Sequence, residues 1–171
     1  MEKIKWKDLK KFTITFWLLV TLSMFGEGLY VPFMDGANKL FIERFCFTPV
    51  EAGKALTITY LVAAIFSAPI GLLIDKIGFK RYFIMCCMSI FTLGQLTILI
   101  TPQCSGNLSS KNGSKAGLVL IGLGYCLYGN CVLPSIALVV KKKVTGTAFG
   151  ITQMIECIAS AFFPLINGVI I

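Results

Sequence analysis

The chain has 171 residues, of which 56% are hydrophobic and only 14% are charged. A soluble domain carries about a quarter charged residues and roughly 45–50% apolar residues, so this composition excludes an ordinary soluble globule and, more firmly, a disordered chain. The formal net charge of +8 comes from 16 basic and 8 acidic residues. The positions of the basic residues decide whether this charge points to nucleic acid or to membrane topology.

Five long apolar runs follow one another along the chain. A helix needs about 20 predominantly apolar residues to cross roughly 30 Å of hydrocarbon. The first run is too long for a signal-peptide core, and nothing that resembles a small-residue cleavage site follows it. The sequence therefore predicts an all-α membrane protein with five transmembrane helices in one domain over residues 12–171, preceded by a basic cytoplasmic segment over residues 1–11. The predicted spans cover residues 12–33, 55–74, 82–100, 116–140 and 147–170.

Proline and glycine residues inside these runs predict a packed bundle, because neighbouring helices satisfy freed backbone groups and small residues let helices approach closely. A G-x-x-x-G pattern from Gly146 to Gly150 opens the fifth span, although this pattern alone is a weak signal. The prolines inside or at the ends of the spans are Pro32, Pro69, Pro134 and Pro164.

The basic residues indicate how the spans are oriented. If the connections lie alternately on two sides, eleven of the 16 Lys and Arg residues fall on the side of the amino terminus and five on the other. The richer side is cytoplasmic by the positive-inside rule. The amino terminus is therefore predicted to be cytosolic and the carboxyl terminus to lie on the opposite side. We expect the lipid bilayer, and no nucleic acid, as the partner of this charge.

The connection between the third and fourth spans is rich in Ser, Asn and Gly and is predicted to lie outside the cytoplasm. Two N-x-S tripeptides begin there at Asn107 and Asn112, and we expect glycosylation of at least one of them. Cys46 and Cys104 lie in polar connections on the same side. The sequence leaves open a disulfide between them, with two free thiols as the alternative.

Several kinds of chemistry are excluded by what the chain lacks. It contains no histidine, and none of its seven cysteines forms a C-x-x-C pair. Histidine-based acid–base catalysis, histidine-ligated metals and C-x-x-C zinc or redox sites are therefore ruled out. No carboxylates are paired at catalytic spacing either. The sequence predicts that the protein is not an enzyme, and we expect neither a metal nor a cofactor.

The connection between the second and third spans is very short and reads GLLIDKIGFKR from Gly71 to Arg81. Gly71 permits close approach of another helix, and Gly78 suits a chain reversal that needs unusual dihedral angles. Asp75 beside Lys80 and Arg81 predicts a charge network at the membrane edge. The alternative from the residues alone is a solvated turn whose charges only stop translocation.

This turn, here called the signature turn (residues 71–81), resembles the G-x-x-x-D-x-x-G-x-[RK]-[RK] signature that follows the second helix of each six-helix half in the major facilitator superfamily. The resemblance implies part of an alternating-access transporter domain, in which the turn stabilises one conformation by bridging to the opposite half. The matching residues are Gly71, Asp75, Gly78, Lys80 and Arg81.

Further short stretches are TFWLL at 15–19, VPF at 31–33, SAPIGLLIDK at 67–76, and GTAFG at 146–150 with Gln153. In these stretches the chain resembles the carboxyl-terminal half of one family within the superfamily, the lysosomal dipeptide transporters. The five spans would then correspond to helices seven to eleven of twelve, without helices one to six and twelve. The resemblance implies dipeptide export from the lysosome and a multi-pass lysosomal membrane location, with another endomembrane or the plasma membrane as alternatives.

Candidate substrate contacts are the polar residues within the spans. Glu27 in the first span is costly at membrane depth and so should face a cavity or a partner, and Tyr30 lies nearby. Glycines flank Glu27 and would let the segment unwind around a ligand; a structural polar contact is the alternative. At residues 26 and 27 the relatives carry aromatic residues, so no family role carries over.

The other candidate cavity residues lie in the fourth and fifth spans. Gln153 and Glu156 are three residues apart and share a helix face, where they would line the cavity or pack against another helix. Tyr125, Tyr128 and Asn130 are suited to a peptide backbone, although the two tyrosines are also ordinary packing aromatics.

Two functions remain open from the sequence. The leading hypothesis is an incomplete carrier half for small solutes or dipeptides, which needs a complementary six-helix half or a homodimer partner. The alternative is an accessory or scaffold membrane protein that keeps the bundle and does not transport.

Overall fold

The structure is a computed structural model that describes residues 12–103 and 108–170, with side chains at all of these positions except 108, 109 and 166–170. The predicted basic segment over residues 1–11, together with Cys104 and Asn107, lies outside the described residues.

Five helices account for nearly all of the described chain, which contains no strand. Each of the five is long and apolar enough to cross a membrane, which confirms the predicted all-α membrane fold. A short 3-10 turn, Lys142–Val144, precedes the last helix. The helices are α1 (Ile14–Phe45), α2 (Pro49–Ile77), α3 (Lys80–Ile100), α4 (Leu108–Val139) and α5 (Thr145–Ile170).

Helices α1, α2 and α4 extend several residues beyond the apolar runs that predict them, and α1 and α4 are the longest. Helix α1 continues about three turns past the first run, to Phe45, and α4 begins at Leu108, before the fourth run starts at Ala116. Each has 32 residues and therefore a length of about 48 Å at 1.5 Å per residue. The hydrocarbon core accounts for roughly 30 Å of this length, so the ends of both helices extend into the polar region.

Local sequence sets both ends of α2. Thr48 and Glu51 form a capping box, in which Thr48 Oγ1 accepts from the Glu51 N–H at 3.3 Å and Glu51 Oε2 accepts from the Thr48 N–H at 3.0 Å. At the other end, Gly78 adopts φ 76°, a left-handed conformation that glycine takes without a Cβ clash. Its N–H donates to the Ile74 carbonyl at 2.9 Å and closes the helix.

The chain divides into two compact units. Unit 1 combines the chain up to Phe33 with the chain from Val132 onward, and unit 2 comprises Met34–Cys131. Unit 2 therefore holds α2, α3, the second part of α1 and most of α4.

Glycine contacts bring the helices of unit 2 together. A Cβ on Gly94 of α3 would lie 2.8 Å from a side-chain carbon of Ile121 on α4, and 3.2 Å from the backbone oxygen of Gly117. A Cβ on Gly122 of α4 would lie 2.7 Å from the backbone oxygen of Thr59 on α2. Only the absence of these side chains allows α4 to pack so closely against both α2 and α3.

Helices α1 and α3 end, and α2 and α4 begin, at the same end of unit 2, here called the outer end. Side-chain contacts link these helices there. Arg44 donates from Nη2 to the Leu99 carbonyl at 2.7 Å and so satisfies one of the last carbonyls of α3. Lys111 Nζ lies 3.0 Å from Glu51 Oε2 and 5.1 Å from the centre of the Phe47 ring.

The cysteines distinguish this end from the rest of the described chain. Cys46 at the outer end is disulfide-bonded, whereas Cys86, Cys87, Cys126, Cys131 and Cys157 are not. The partner considered from the sequence, Cys104, lies outside the described residues. Disulfides persist in oxidising compartments, so a bonded Cys46 agrees with the predicted non-cytoplasmic position of the outer end.

In unit 1, the first part of α1 packs against α5 around Phe163. A Cβ on Gly28 would clash with the Phe163 ring, and the rings of Phe25 and Phe163 meet edge to face with centres 6.5 Å apart. The G-x-x-x-G pattern makes no such contact, because a Cβ on Gly146 or Gly150 would meet no described atom within 4 Å. The pattern permits close packing there, and the described structure does not use it.

The close approach at Gly122 predicts the effect of adding one methyl group. We expect Gly122→Ala to lower the free energy of unfolding by roughly 1–3 kcal/mol, because the new Cβ would clash with a backbone atom that cannot rotate away. Gly129→Ala on the same helix is the matched control, since a Cβ there meets no described atom within 4 Å. Thermal unfolding in detergent measures both variants, and an equal loss of stability in the two would contradict the packing.

Candidate functional site

The signature turn joins α2 to α3 within unit 2. Lys80 Nζ, at the start of α3, lies 3.7 Å from Asp75 Oδ1 near the end of α2, and Gly78 makes the reversal between them. The predicted charge network therefore forms between Asp75 and Lys80, while Arg81 is exposed. Gly71 lies one helical turn before Asp75, where a Cβ would be 3.0 Å from Asn130 Oδ1 on α4.

The two charged side chains of this pair differ in exposure. Lys80 is 19% exposed, whereas Asp75 is 75% exposed. Asp75 thus keeps acceptor capacity that Lys80 does not use, since an ionised carboxylate offers about four acceptor positions. A carboxylate presented in this way can receive a second partner from outside unit 2, such as the positive amino end of another helix.

Two carboxylates come together in unit 1. Glu27 on α1 interacts electrostatically with Glu156 on α5, and Glu156 is only 6% exposed. Tyr30, one turn after Glu27, is buried as well. Like charges repel. A cationic group between the two carboxylates would relieve this repulsion.

The backbone around Glu27 differs from the expected unwound segment. Helix α1 is continuous from Ile14 to Phe45, and the Phe163 ring covers Gly28. This glycine serves close packing of α5 against α1 in the described structure. It does not expose backbone to a ligand there.

The remaining candidate on α5, Gln153, differs from Glu156 in its exposure to solvent. Gln153 is exposed, whereas Glu156 is buried. Positions three apart are about 60° apart around a helix, so the border between the exposed and buried faces passes between them. Within unit 1, the structure therefore brings Glu27 and Glu156 together and places Gln153 at the edge of this group.

Three candidates on α4 belong to unit 2. The rings of Tyr125 and Tyr128 stack with centres 6.2 Å apart and planes 19° apart. Asn130 donates from Nδ2 to Ser67 Oγ on α2 at 3.2 Å and to the Cys126 carbonyl at 2.9 Å. Ser67 is not among the candidates predicted from the sequence; its position one turn before Gly71 on the same face of α2 was the available signal.

Of the two predicted glycosylation sites, Asn112 lies within the residues that the structure describes. Asn112 is exposed, but it lies within α4 and not in a loop, and the hydroxyl of the fully buried Ser114 donates to the Lys111 carbonyl at 3.0 Å. Transfer of a glycan to Asn112 would therefore have to precede closure of this turn of α4.

The described part of the chain holds no group of three or more His, Cys, Asp or Glu side chains arranged to bind a metal ion.

Curated relatives match almost the whole chain. The Lysosomal dipeptide transporter MFSD1 of Gallus gallus is 28% identical over 170 residues, which are 99% of this chain and 36% of the relative. The proteins of the same name from Danio rerio and Homo sapiens are 28% and 26% identical, again over 99% of this chain and 35% of each relative. The chain thus spans about a third of the length of the curated relatives it matches.

No solved structure matches the chain. A family model, that of the Major Facilitator Superfamily, matches residues 16–171, which include α2 to α5, nearly all of α1 and the signature turn. The chain therefore belongs to the Major Facilitator Superfamily.

Proposed function

We propose that this chain forms part of a carrier that moves small peptides, dipeptides foremost, across the lysosomal membrane by alternating access. The observation that carries the proposal is the signature turn, in which the Asp75–Lys80 pair closes over Gly78 in a chain of this superfamily. The relatives named as lysosomal dipeptide transporters support the substrate class and the membrane.

The five helices supply only part of a transport pathway in this proposal. Substrate sites in such carriers lie near the bilayer midplane, at the interface between two pseudo-symmetric halves. Residues 12–171 act as a partial transmembrane domain that corresponds to helices seven to eleven of twelve. A complementary six-helix half, or a second copy of the chain, completes the site, and residues 1–11 form a basic cytoplasmic segment before the first span.

Glu27 and Glu156 are the proposed contacts for the amino terminus of the peptide. An ionisable side chain at the membrane centre costs about 2.5–3.5 kcal/mol on insertion scales, and two interacting carboxylates repel each other as well. An ammonium group from the substrate offsets both costs. Tyr30 and Gln153, which belong to the same unit, supply hydroxyl and amide groups for the peptide backbone.

The signature turn acts in the conformational cycle. Asp75, exposed and only partly neutralised by Lys80, bridges at the cytoplasmic end to the positive amino end of a helix in the complementary half. The bridge stabilises one conformation and releases in the other, so its strength sets the balance between them.

Neutralising the proposed amine contacts tests the binding site. We expect Glu27→Gln and Glu156→Gln each to lower kcat/KM for a free dipeptide about tenfold or more, because each removes a charge partner of the ammonium group. Uptake by the assembled carrier in proteoliposomes is the measurement. Glu43→Gln, an exposed change also on α1, is the matched control and should leave uptake unchanged.

The substrate itself supplies a second control for that experiment. An amino-terminally acetylated dipeptide lacks the ammonium group and should be transported poorly by the unaltered carrier. It should then lose nothing further in the two variants. Unchanged uptake of the free dipeptide in both Glu27→Gln and Glu156→Gln would rule out the proposed site.

The signature turn predicts a loss of transport without a loss of stability. An exposed ion pair contributes about 0–1 kcal/mol, so Asp75→Asn should leave the unfolding temperature nearly unchanged. We expect it to lower the rate of dipeptide uptake roughly fivefold or more, because the bridge from Asp75 to the complementary half, which stabilises one conformation, is lost. Asp35→Asn, at another exposed acidic position, serves as the control. Normal uptake by Asp75→Asn would contradict the role of the turn.

Glycosylation tests the proposed orientation of the chain. If the connection between α3 and α4 faces the lumen, a glycan on Asn107 or Asn112 should be removable by a deglycosylating enzyme. We expect a mobility shift on gels that disappears in the Asn107→Gln/Asn112→Gln double variant. The absence of any shift in protein from glycosylating cells would remove this support for the orientation.

A further inference from the structure

A polar contact joins α2 and α4 in the middle of unit 2. Asn130 Nδ2 on α4 donates to Ser67 Oγ on α2 at 3.2 Å, and the same nitrogen donates to the Cys126 carbonyl one turn earlier on α4 at 2.9 Å. The bond to the Cys126 carbonyl fixes the side chain on its own helix, and the bond to Ser67 fixes α2 against it. In hydrocarbon, an amide deprived of Ser67 has no water to replace it.

The carbonyl end of the same amide also contacts α2. A Cβ on Gly71 would lie 3.0 Å from Asn130 Oδ1, so the amide oxygen rests directly against the backbone of α2. Ser67 and Gly71 are four residues apart and therefore lie on one face of the helix. Contacts at two successive turns oppose both sliding and rotation of α2 against α4.

The signature turn begins at this contact. Asp75 follows Gly71 by one further turn on the same face of α2, and Asp75 pairs with Lys80 across the reversal at Gly78. The Lys80 ammonium group also acts electrostatically on Cys131, the residue next to Asn130 on α4. The α2 side of the turn thus contacts α4 at Asn130, and the α3 side acts on α4 at the next residue, Cys131.

We propose that Asn130 is a positioning residue for the signature turn: it holds α2 in the register that places Asp75 opposite Lys80. The inference rests on the proposed function and deepens it, since it assigns a transport role to a residue that contacts the turn at Gly71 and the preceding helical turn at Ser67. It also gives Asn130 a different part from the substrate contact considered in the sequence analysis.

Hydrogen exchange of the purified chain in lipid nanodiscs tests the register without any substrate. Asn130→Leu removes the amide and keeps a branched side chain with the same number of heavy atoms. We expect the backbone amides of residues 74–82 to exchange roughly three to ten times faster, the range that follows from losing one interhelical hydrogen bond in a membrane. Ser67→Ala, a smaller change, should have the same effect and covers the case in which Asn130→Leu does not fold.

Thr59→Val is the matched control, because Thr59 also bonds from α2 to α4, at the Leu118 carbonyl at 3.4 Å, but lies four turns away from Asp75. It should leave exchange at the turn within twofold. Unchanged exchange at the turn in both Asn130→Leu and Ser67→Ala would overturn the proposal, and so would an equal increase in Thr59→Val.

Transport kinetics provide the functional readout. In the assembled carrier, Asn130→Leu should lower kcat for dipeptide uptake roughly fivefold and leave KM within twofold, because the conformational step and not substrate binding is altered. A change confined to KM would overturn the positioning role and favour a substrate contact. Since the exchange experiment needs no substrate, its failure is distinguishable from failure of the proposed transport function, which uptake by the unaltered carrier tests.

Discussion

The absence of water from the hydrocarbon core is the constraint on which the rest of this structure depends. A backbone amide or carbonyl without a partner there costs several kcal/mol, which is why each span is one continuous helix, even through Pro32, Pro69 and Pro134. Side chains follow the same rule. Serine and threonine hydroxyls on α3 donate to carbonyls one turn earlier, as Thr92 does to Met88 at 2.8 Å. The Asn130 amide donates both to Ser67 and to the Cys126 carbonyl.

Because lipid is as apolar as leucine, hydrophobicity does not hold these helices together, and close packing and polar contacts must do so. In unit 2, glycines bring α4 against α2 and α3, and Asn130 adds a polar contact of defined geometry. This arrangement links packing to function. The face of α2 that allows close approach at Gly71 continues to Asp75. The register of α2 against α4 therefore also determines where Asp75 is presented at the signature turn.

The sequence predicted the five spans and the signature turn because both depend on local patterns, namely apolar length and glycine and charge spacing. It placed the end of α1 and the starts of α2 and α4 too close to the hydrocarbon core, since hydropathy measures the hydrocarbon-facing part of a helix and not its continuation into the polar region. Extension of α1 to Phe45 depends on tertiary contacts such as Arg44 with Leu99. Likewise, helical periodicity placed Asn130 on a face but could not reveal that Ser67 lies opposite it.

Labelling from each side of the membrane tests the central claim most directly, that the five helices cross the bilayer with the signature turn on the cytoplasmic side. The five cysteines that are not disulfide-bonded are first replaced by alanine. Lys76→Cys at the signature turn and Lys54→Cys near the start of α2 are then introduced singly into this background. Labelling of each variant with a membrane-impermeant maleimide is compared with labelling of the background itself. The account predicts that Lys76→Cys is labelled only from the cytoplasmic side and Lys54→Cys only from the opposite side. Labelling of both positions from one side would contradict it.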